Sequence, residues 1–231
     1  MNLLAVSWPS ATRIIASRFP PIDLFERLSG DPRDWEAFIA LEDLVNPRLR
    51  QEIGEISLVP PDERVAGPGA SYVMGAFTHV NPKGSRFSDG SYGVYYAARE
   101  FETALRETVY HYEQYYADAD QGLIRSEQMR VLVGTIDAEF HDVESLGEAE
   151  RARVLDRDDY SAGRALAASL REEGSNGVHY PSVRQLGGAC VGAFRPKAVG
   201  VPVQTKHLEY HWNGARIDKV FDYEAKAWSP L

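Results

Sequence analysis

The chain has 231 residues, long enough for one sizeable core and short for two. Its net charge of −9 argues against a dedicated nucleic-acid binder, which needs a basic face, but allows a local basic pocket for a phosphorylated metabolite. One cysteine, Cys190, excludes an internal disulfide framework and a multi-thiolate zinc site.

The first segment, MNLLAVSWPSATRIIASRF, has no basic region ahead of an apolar core, and no run reaches the roughly 20 apolar residues of a membrane span. A cytoplasmic protein with no membrane partner is therefore expected. Residues 1 to about 55 read as a mostly helical arm on the main domain. Asp31, Pro32 and Asp34 supply a capping side chain, a proline for the first helical position and an acid near the positive end of the dipole. Trp35, Phe38, Ile39, Leu41, Leu44 and Val45 then form a broad apolar stripe, which Asn46-Pro47 ends. A loop rich in proline and glycine runs from Val59 to Gly69.

From about residue 56 to 215 short strands alternate with helices. Val94–Ala97 reads as a buried strand, and Phe101, Ala104, Leu105, Thr108, Tyr112 and Tyr115 recur at helical spacing. Met129–Ile136 is a second apolar strand, and Ser161–Glu173 a helix stopped by Gly174. Gly177–Val183 and Ala189–Phe194 read as strands joined through Gly187-Gly188, and Leu208, Tyr210 and Trp212 alternate in a last strand near an edge. Residues 216–231 read as a C-terminal tail. The expected class is α+β, a twisted mixed or antiparallel sheet with flanking helices in one domain over 1–231. No GxGxxG or Walker-type loop suggests regular βαβ winding.

The chemistry concentrates in GSRFSDGSYGVYYAAREFETALRE, from Gly84 to Glu107. Arg86 stands in a Gly-rich loop, Tyr96 in a strand 10 residues later and Glu107 in a helix 11 residues after that. A guanidinium, an aromatic face and a carboxylate thus meet where loop, strand and helix converge. This set suits an anionic substrate with an aromatic base and a bond that breaks through a cationic transition state, as in NAD. The bland readings are a loop-capping Arg86, a core Tyr96, a strand-end Ser182 and a surface pair between Glu107 and His111. Arg13 and Arg18 are candidates to add positive charge to a phosphate site, Arg18 the better of the two. His207 and His211 share one side of a strand but too far apart for a shared metal, and Cys190 reads as a small buried hydrophobe. No metal site is expected.

These residues carry a resemblance to the RES-domain family, named for arginine, glutamate and serine, over roughly Arg13 to Trp212. Arg86 matches the arginine of the Gly-Arg-aromatic loop, Tyr96 in GVYYAA the strand tyrosine, Glu107 in ETALRET the helix glutamate and Ser182 in SNGVHYPSVR the strand serine. Where the family commonly has Gly-Arg-Trp-Asn, this chain has Ser85-Arg86-Phe87-Ser88, which leaves open the neighbour that hydrogen-bonds beside the arginine. The resemblance implies an ADP-ribosyltransferase-like core and a bacterial toxin that degrades NAD by hydrolysis or phosphorolysis, using NAD as substrate and no cofactor. It further implies a helix-turn-helix (Xre-type) antitoxin partner that covers the active site. It assigns catalysis to Arg86, Tyr96, Glu107 and Ser182, of which Arg86, Tyr96 and Ser182 also bind the substrate; Arg18 is a further binding candidate, read from its place before Pro20-Pro21 and not from the resemblance. The competing readings are an ADP-ribosyltransferase acting on a macromolecule and a silent nucleotide-binding module. Homo-oligomerisation is left open.

Overall fold

The structure, a computed structural model, describes residues 1–19, 25–26, 28, 31–43, 52–119 and 123–231. Its first element is a strand, β1 (Leu3–Ala16), where a helix was expected. Buried side chains fall at Val6 and Trp8 and again at Ile14 and Ala16, period two on either side of a register shift between Trp8 and Ala11. Short apolar runs such as LLAV and RIIA are too brief to separate strand from helix. The deciding factor is a distant partner. β1 runs antiparallel along β3 (Arg125–Asp142), from Leu3 opposite His141 to Ala16 opposite Met129.

The helix start at Asp31 is present. The Asp31 side chain accepts from the Arg33 amide at 3.0 Å, Pro32 opens a 3-10 turn, and α1 (Trp35–Asp43) follows. Trp35 and Ile39 are buried, whereas Phe38 and Leu41 are exposed. Leu44, Val45 and Asn46-Pro47 lie outside the described residues.

After the Pro/Gly loop comes α2 (Ala70–Thr78), then β2 (Tyr95–Ala98) and α3 (Phe101–Ala119). Beyond β3 lie α4 (Glu148–Val154), α5 (Ser161–Glu172), β4 (Gly177–Pro181), β5 (Ala189–Ala193) and β6 (Val203–Trp212). The second correction falls at the C-terminus. β6 is not at an edge, because β7 (Ile217–Asp222) and β8 (Ala227–Pro230) continue the sheet through the stretch expected to be a tail. That stretch lacks a long apolar run, and its strands form because β6 offers an open edge. β8 is short, exposed and ends in proline, features that blunt an edge.

The fold is α+β, with one sheet of order β1-β2-β5-β4-β3-β6-β7-β8. All neighbours are antiparallel except β3 and β4. The β1–β3 pairing closes β1, β2, β5, β4 and β3 into a ring, and β6–β8 extend from β3. Strand alternation divides the apolar residues between two cores. One joins Ile14, Ala98, Met129, Val178 and Cys190 to Ala104, Leu105 and Val109 of α3 and to Ala167 and Leu170 of α5. The other joins Val6, Trp8, Tyr95, Ala97 and Val191 to Trp35 of α1 and to Val73, Met74 and Phe77 of α2. Tyr95 and Tyr96 therefore face different cores, and Tyr96 shares its face with α3.

Candidate active site

The loop before β2 is folded by its own polar groups. Gly84 has φ 73, and a Cβ there would meet the Ser88 carbonyl oxygen at 2.4 Å, so the turn requires glycine. The Ser85 amide donates to the Ser88 carbonyl at 2.8 Å. Arg164 of α5 donates from Nε to the Ser85 carbonyl and from Nη2 to that of Lys83, both at 2.9 Å. Tyr96 ties this loop to β2: its hydroxyl shares a 2.7 Å hydrogen bond with Ser85 Oγ and accepts from the Phe87 amide at 3.0 Å. Burial raises the Tyr96 pKa to about 12, outweighing the opposing hydrogen bonds from Ser85 and Phe87, so the group stays a neutral phenol at pH 7.

The atypical neighbours of Arg86 now have places. Phe87 is fully buried, parallel to Tyr96 and edge-on to Tyr180, and Ser88 Oγ donates to the Tyr92 carbonyl at 2.5 Å. Ser85, and not Ser88, lines the same cavity as Arg86. Arg86 is itself buried. Its Nη1 donates to the carbonyls of Val154 at 3.2 Å and Asp156 at 2.6 Å, and its guanidinium lies 4.5 Å from the Tyr160 ring centre.

Arg86, Tyr96 and Glu107 line one cavity of about 190 Å³, together with Arg13, Ser85, Thr108, His111, Tyr180 and Cys190. Ser182 stands behind Glu107 instead of in the wall. Its Oγ donates to Glu107 Oε1 at 2.5 Å and accepts from the amides of Arg184 at 3.1 Å and Gln185 at 3.0 Å. A carboxylate held this way gains roughly 1.5–3 kcal/mol from the charge-assisted bond. The alternative reading of Glu107, a surface pair with His111, gives way to this contact.

The two arginines of the first segment divide against expectation. Arg18 pairs with Glu127 beside Tyr115 and Tyr116, in a surface depression separate from the cavity. Arg13 does reach the cavity. Its Nη1 donates to the Tyr96 carbonyl at 2.9 Å and its guanidinium lies 4.6 Å from the Tyr95 ring centre. The reason is register: Arg13 lies inside β1, next to Thr12, which pairs with Ala98 of β2, whereas Arg18 lies past the strand's end.

His111 is a cavity residue that the sequence reading does not select. His111 lines the cavity at its exposed rim, one helical turn beyond Glu107. Loss of surrounding water and then the charges of Arg184 and Arg86 push its pKa down, favouring the neutral imidazole. Arg184 packs over the Tyr110 ring at 3.3 Å. The i,i+4 spacing from Glu107 was the available signal. Burial pushes the Cys190 thiol well up, with Glu107 adding to the effect, so it lines the wall as a thiol. His211 pairs with Asp218 at 2.7 Å on the far hairpin. Among the described residues, Asp142, Glu144 and His179 form one group with metal-ligand spacing, and none of them lines the cavity.

Fold and site together define an α+β protein with a small cavity in whose wall a carboxylate, held by a serine, stands with two arginines. The pattern of the RES domain matches residues 62–213, and the chain belongs to the RES-domain family. It is 30% identical over 212 residues to an uncharacterized protein, y4oC, of Sinorhizobium fredii, covering 92% of this chain and 86% of that one. The crystal structure of the M. tuberculosis MbcT–MbcA toxin–antitoxin complex contains a chain that aligns with 88% of this one and 86% of its own length. That alignment has 12% identity and a TM-score of 0.44.

Proposed function

We propose that this protein is an NAD-degrading toxin that cleaves the bond between nicotinamide and ribose and is neutralised by a helix-turn-helix antitoxin. The observation that carries the reading is Glu107: a carboxylate in a cavity wall, held by Ser182, with Arg86 and Arg13 in the same wall. Family membership supports the toxin role and the antitoxin partner.

In the proposed reaction the C1′–N bond of NAD breaks and its electron pair leaves with nicotinamide, which departs neutral. Positive charge develops on the ribose. Glu107 stabilises that charge and hydrogen-bonds the ribose hydroxyls, as carboxylates do in glycoside cleavage. Water or phosphate then bonds to C1′. Water gives ADP-ribose and one proton, and phosphate gives ADP-ribose 1″-phosphate. Tyr96, a neutral phenol tied to Ser85, presents a fixed aromatic wall to the base. Ser182 acts through Glu107 as a positioning residue. Arg86 is anchored to the last residue of α4 and the turn after it, so its charge sits in a fixed place for the anionic substrate.

The test is nicotinamide release from NAD by the purified chain, with and without phosphate, beside Glu107→Gln. Release that depends on Glu107 is the expected result, and its dependence on phosphate names the acceptor. Labelled ADP-ribose retained on a macromolecule would replace this reading with the transferase. Saturable NAD binding without release would replace it with a silent binding module.

A further inference from the structure

A depression of about 350 Å³ lies along α3 and shares no lining residue with the Glu107 cavity. The helix divides its side chains between the two. Glu107, Thr108 and His111 line the cavity, whereas Arg106, Tyr110 and Glu113 line the depression. Three more arginines reach the depression from separate segments: Arg157 from the turn after α4, Arg184 from the β4–β5 loop and Arg216 from the turn between β6 and β7. The wall therefore holds four arginines and one carboxylate, on a chain whose net charge is −9.

The contacts that hold this wall leave its charge unmatched. Arg184 covers the Tyr110 ring and donates to the Arg157 carbonyl. Glu113 accepts from the Ile217 amide at 2.8 Å, which ties the β6–β7 turn to α3, and Asn213 Oδ1 accepts from the Arg216 amide at 3.0 Å. Asp158 accepts from the Tyr110 hydroxyl at 3.1 Å, and Arg106 pairs with Glu102 at 2.8 Å. Among the described residues, Arg157, Arg184 and Arg216 pair with no carboxylate. Like charges gathered in one recess repel each other and focus a positive field into it, which an anion relieves.

We infer that this depression is a binding site for a linear oligophosphate, inorganic or carried by a nucleotide. A planar guanidinium meets phosphate oxygens through paired donors, and successive phosphates match arginines that converge from different segments. The volume falls in the range of small-ligand pockets, which begin at roughly 300 Å³. Tyr110, the aromatic ring in the wall, is covered by Arg184 and offers no platform for a base. The phosphate chain is therefore the part recognised. Arg184 is half-buried, while Arg157 and Arg216 stand exposed at the rim, where they can close on a ligand.

The test needs no turnover and is independent of the NAD reading. The purified full chain is titrated by calorimetry with inorganic triphosphate, ATP, adenosine and hexa-aspartate. Saturable binding of triphosphate and ATP, with none of adenosine, is the expected result, and the tighter of the two names the source of the phosphate chain. The double substitution Arg157→Gln and Arg216→Gln is expected to weaken triphosphate binding about tenfold or more. No binding of triphosphate, or an affinity unchanged in the double variant, would overturn the inference. Hexa-aspartate bound as tightly as triphosphate would overturn it in favour of an acidic protein segment. Thermal melting accompanies the variant. Salt supplies a second measurement on the wild-type chain, whose triphosphate affinity should fall several-fold between about 0.01 and 0.15 M salt as screening shortens the reach of the arginines. An affinity indifferent to salt overturns the site even if the double variant does not fold.

Discussion

The two ends of α3 display similar side chains in opposite circumstances. Near the first end, Glu107 meets a neutral hydroxyl, Ser182, beside a cavity whose charged neighbours are arginines. Near the other end, Glu127 of β3 meets Arg18 and the Tyr116 hydroxyl, against packed rings of Tyr112, Tyr116, Tyr210 and Trp212. A carboxylate held by a hydroxyl keeps its negative charge available to a third group. One already matched by a guanidinium does not. The partner, more than the residue type, separates a site from a structural joint.

Four substitutions sharpen or break this contrast. Glu107→Gln keeps the shape and the Ser182 contact but removes the charge. Nicotinamide release should fall by about two to three orders of magnitude, the scale of a lost transition-state electrostatic contact, while the melting temperature stays close to wild type. Near-normal turnover would make Glu107 equivalent to Glu127. Ser182→Ala should cost about tenfold in turnover. It also removes the acceptor of two amides, so denaturant unfolding should show a loss of about 1–3 kcal/mol.

His111→Gln tests the charge of the rim through pH. The folded His111 pKa is depressed to about 4 from 6.5, so between those values the unfolded chain binds more protons. This histidine therefore contributes nothing above pH 6.5, and its penalty on the folded state grows as pH falls through the window toward 4. Unfolding followed from pH 7 to 4 should decline less steeply in His111→Gln than in wild type; identical slopes would mean that the rim does not oppose the imidazolium. Arg18→Gln should have the smallest effect. Its guanidinium is about half exposed, at 47%, so the Glu127 pair should contribute no more than about 1 kcal/mol, less in high salt, with turnover unchanged. A large loss of activity there would erase the distinction between the two ends of the helix.

The residues legible in the sequence were those governed by local rules. The helical spacing of α3, the capped start at Asp31, the stop at Gly174 and the apolar strand within β3 all depend on neighbours within a few positions. Arg86, Tyr96 and Glu107 were readable for the same reason, since a single loop–strand–helix segment brings them to one cavity. β1 was not legible, because its short apolar runs fit either periodicity and its hydrogen-bond partner lies more than 100 residues away. The β7–β8 hairpin was not legible because Ile217 and Val220 gain burial only once β7 pairs with β6, and β8 stays exposed against β7.

The same distinction accounts for the arginines. Sequence alone placed a charged set of the right kinds near Gly84–Glu107 and offered Arg13 and Arg18 as additions, because residue type and local spacing are written in the chain. Tertiary structure decided between them: strand register set Arg13 in the wall of the Glu107 cavity and left Arg18 beside Glu127. It also set Ser182 behind Glu107, as the donor to its carboxylate. Hydrogen bonds between groups 75 to 109 positions apart depend on which strands pair, and that choice belongs to the whole sheet.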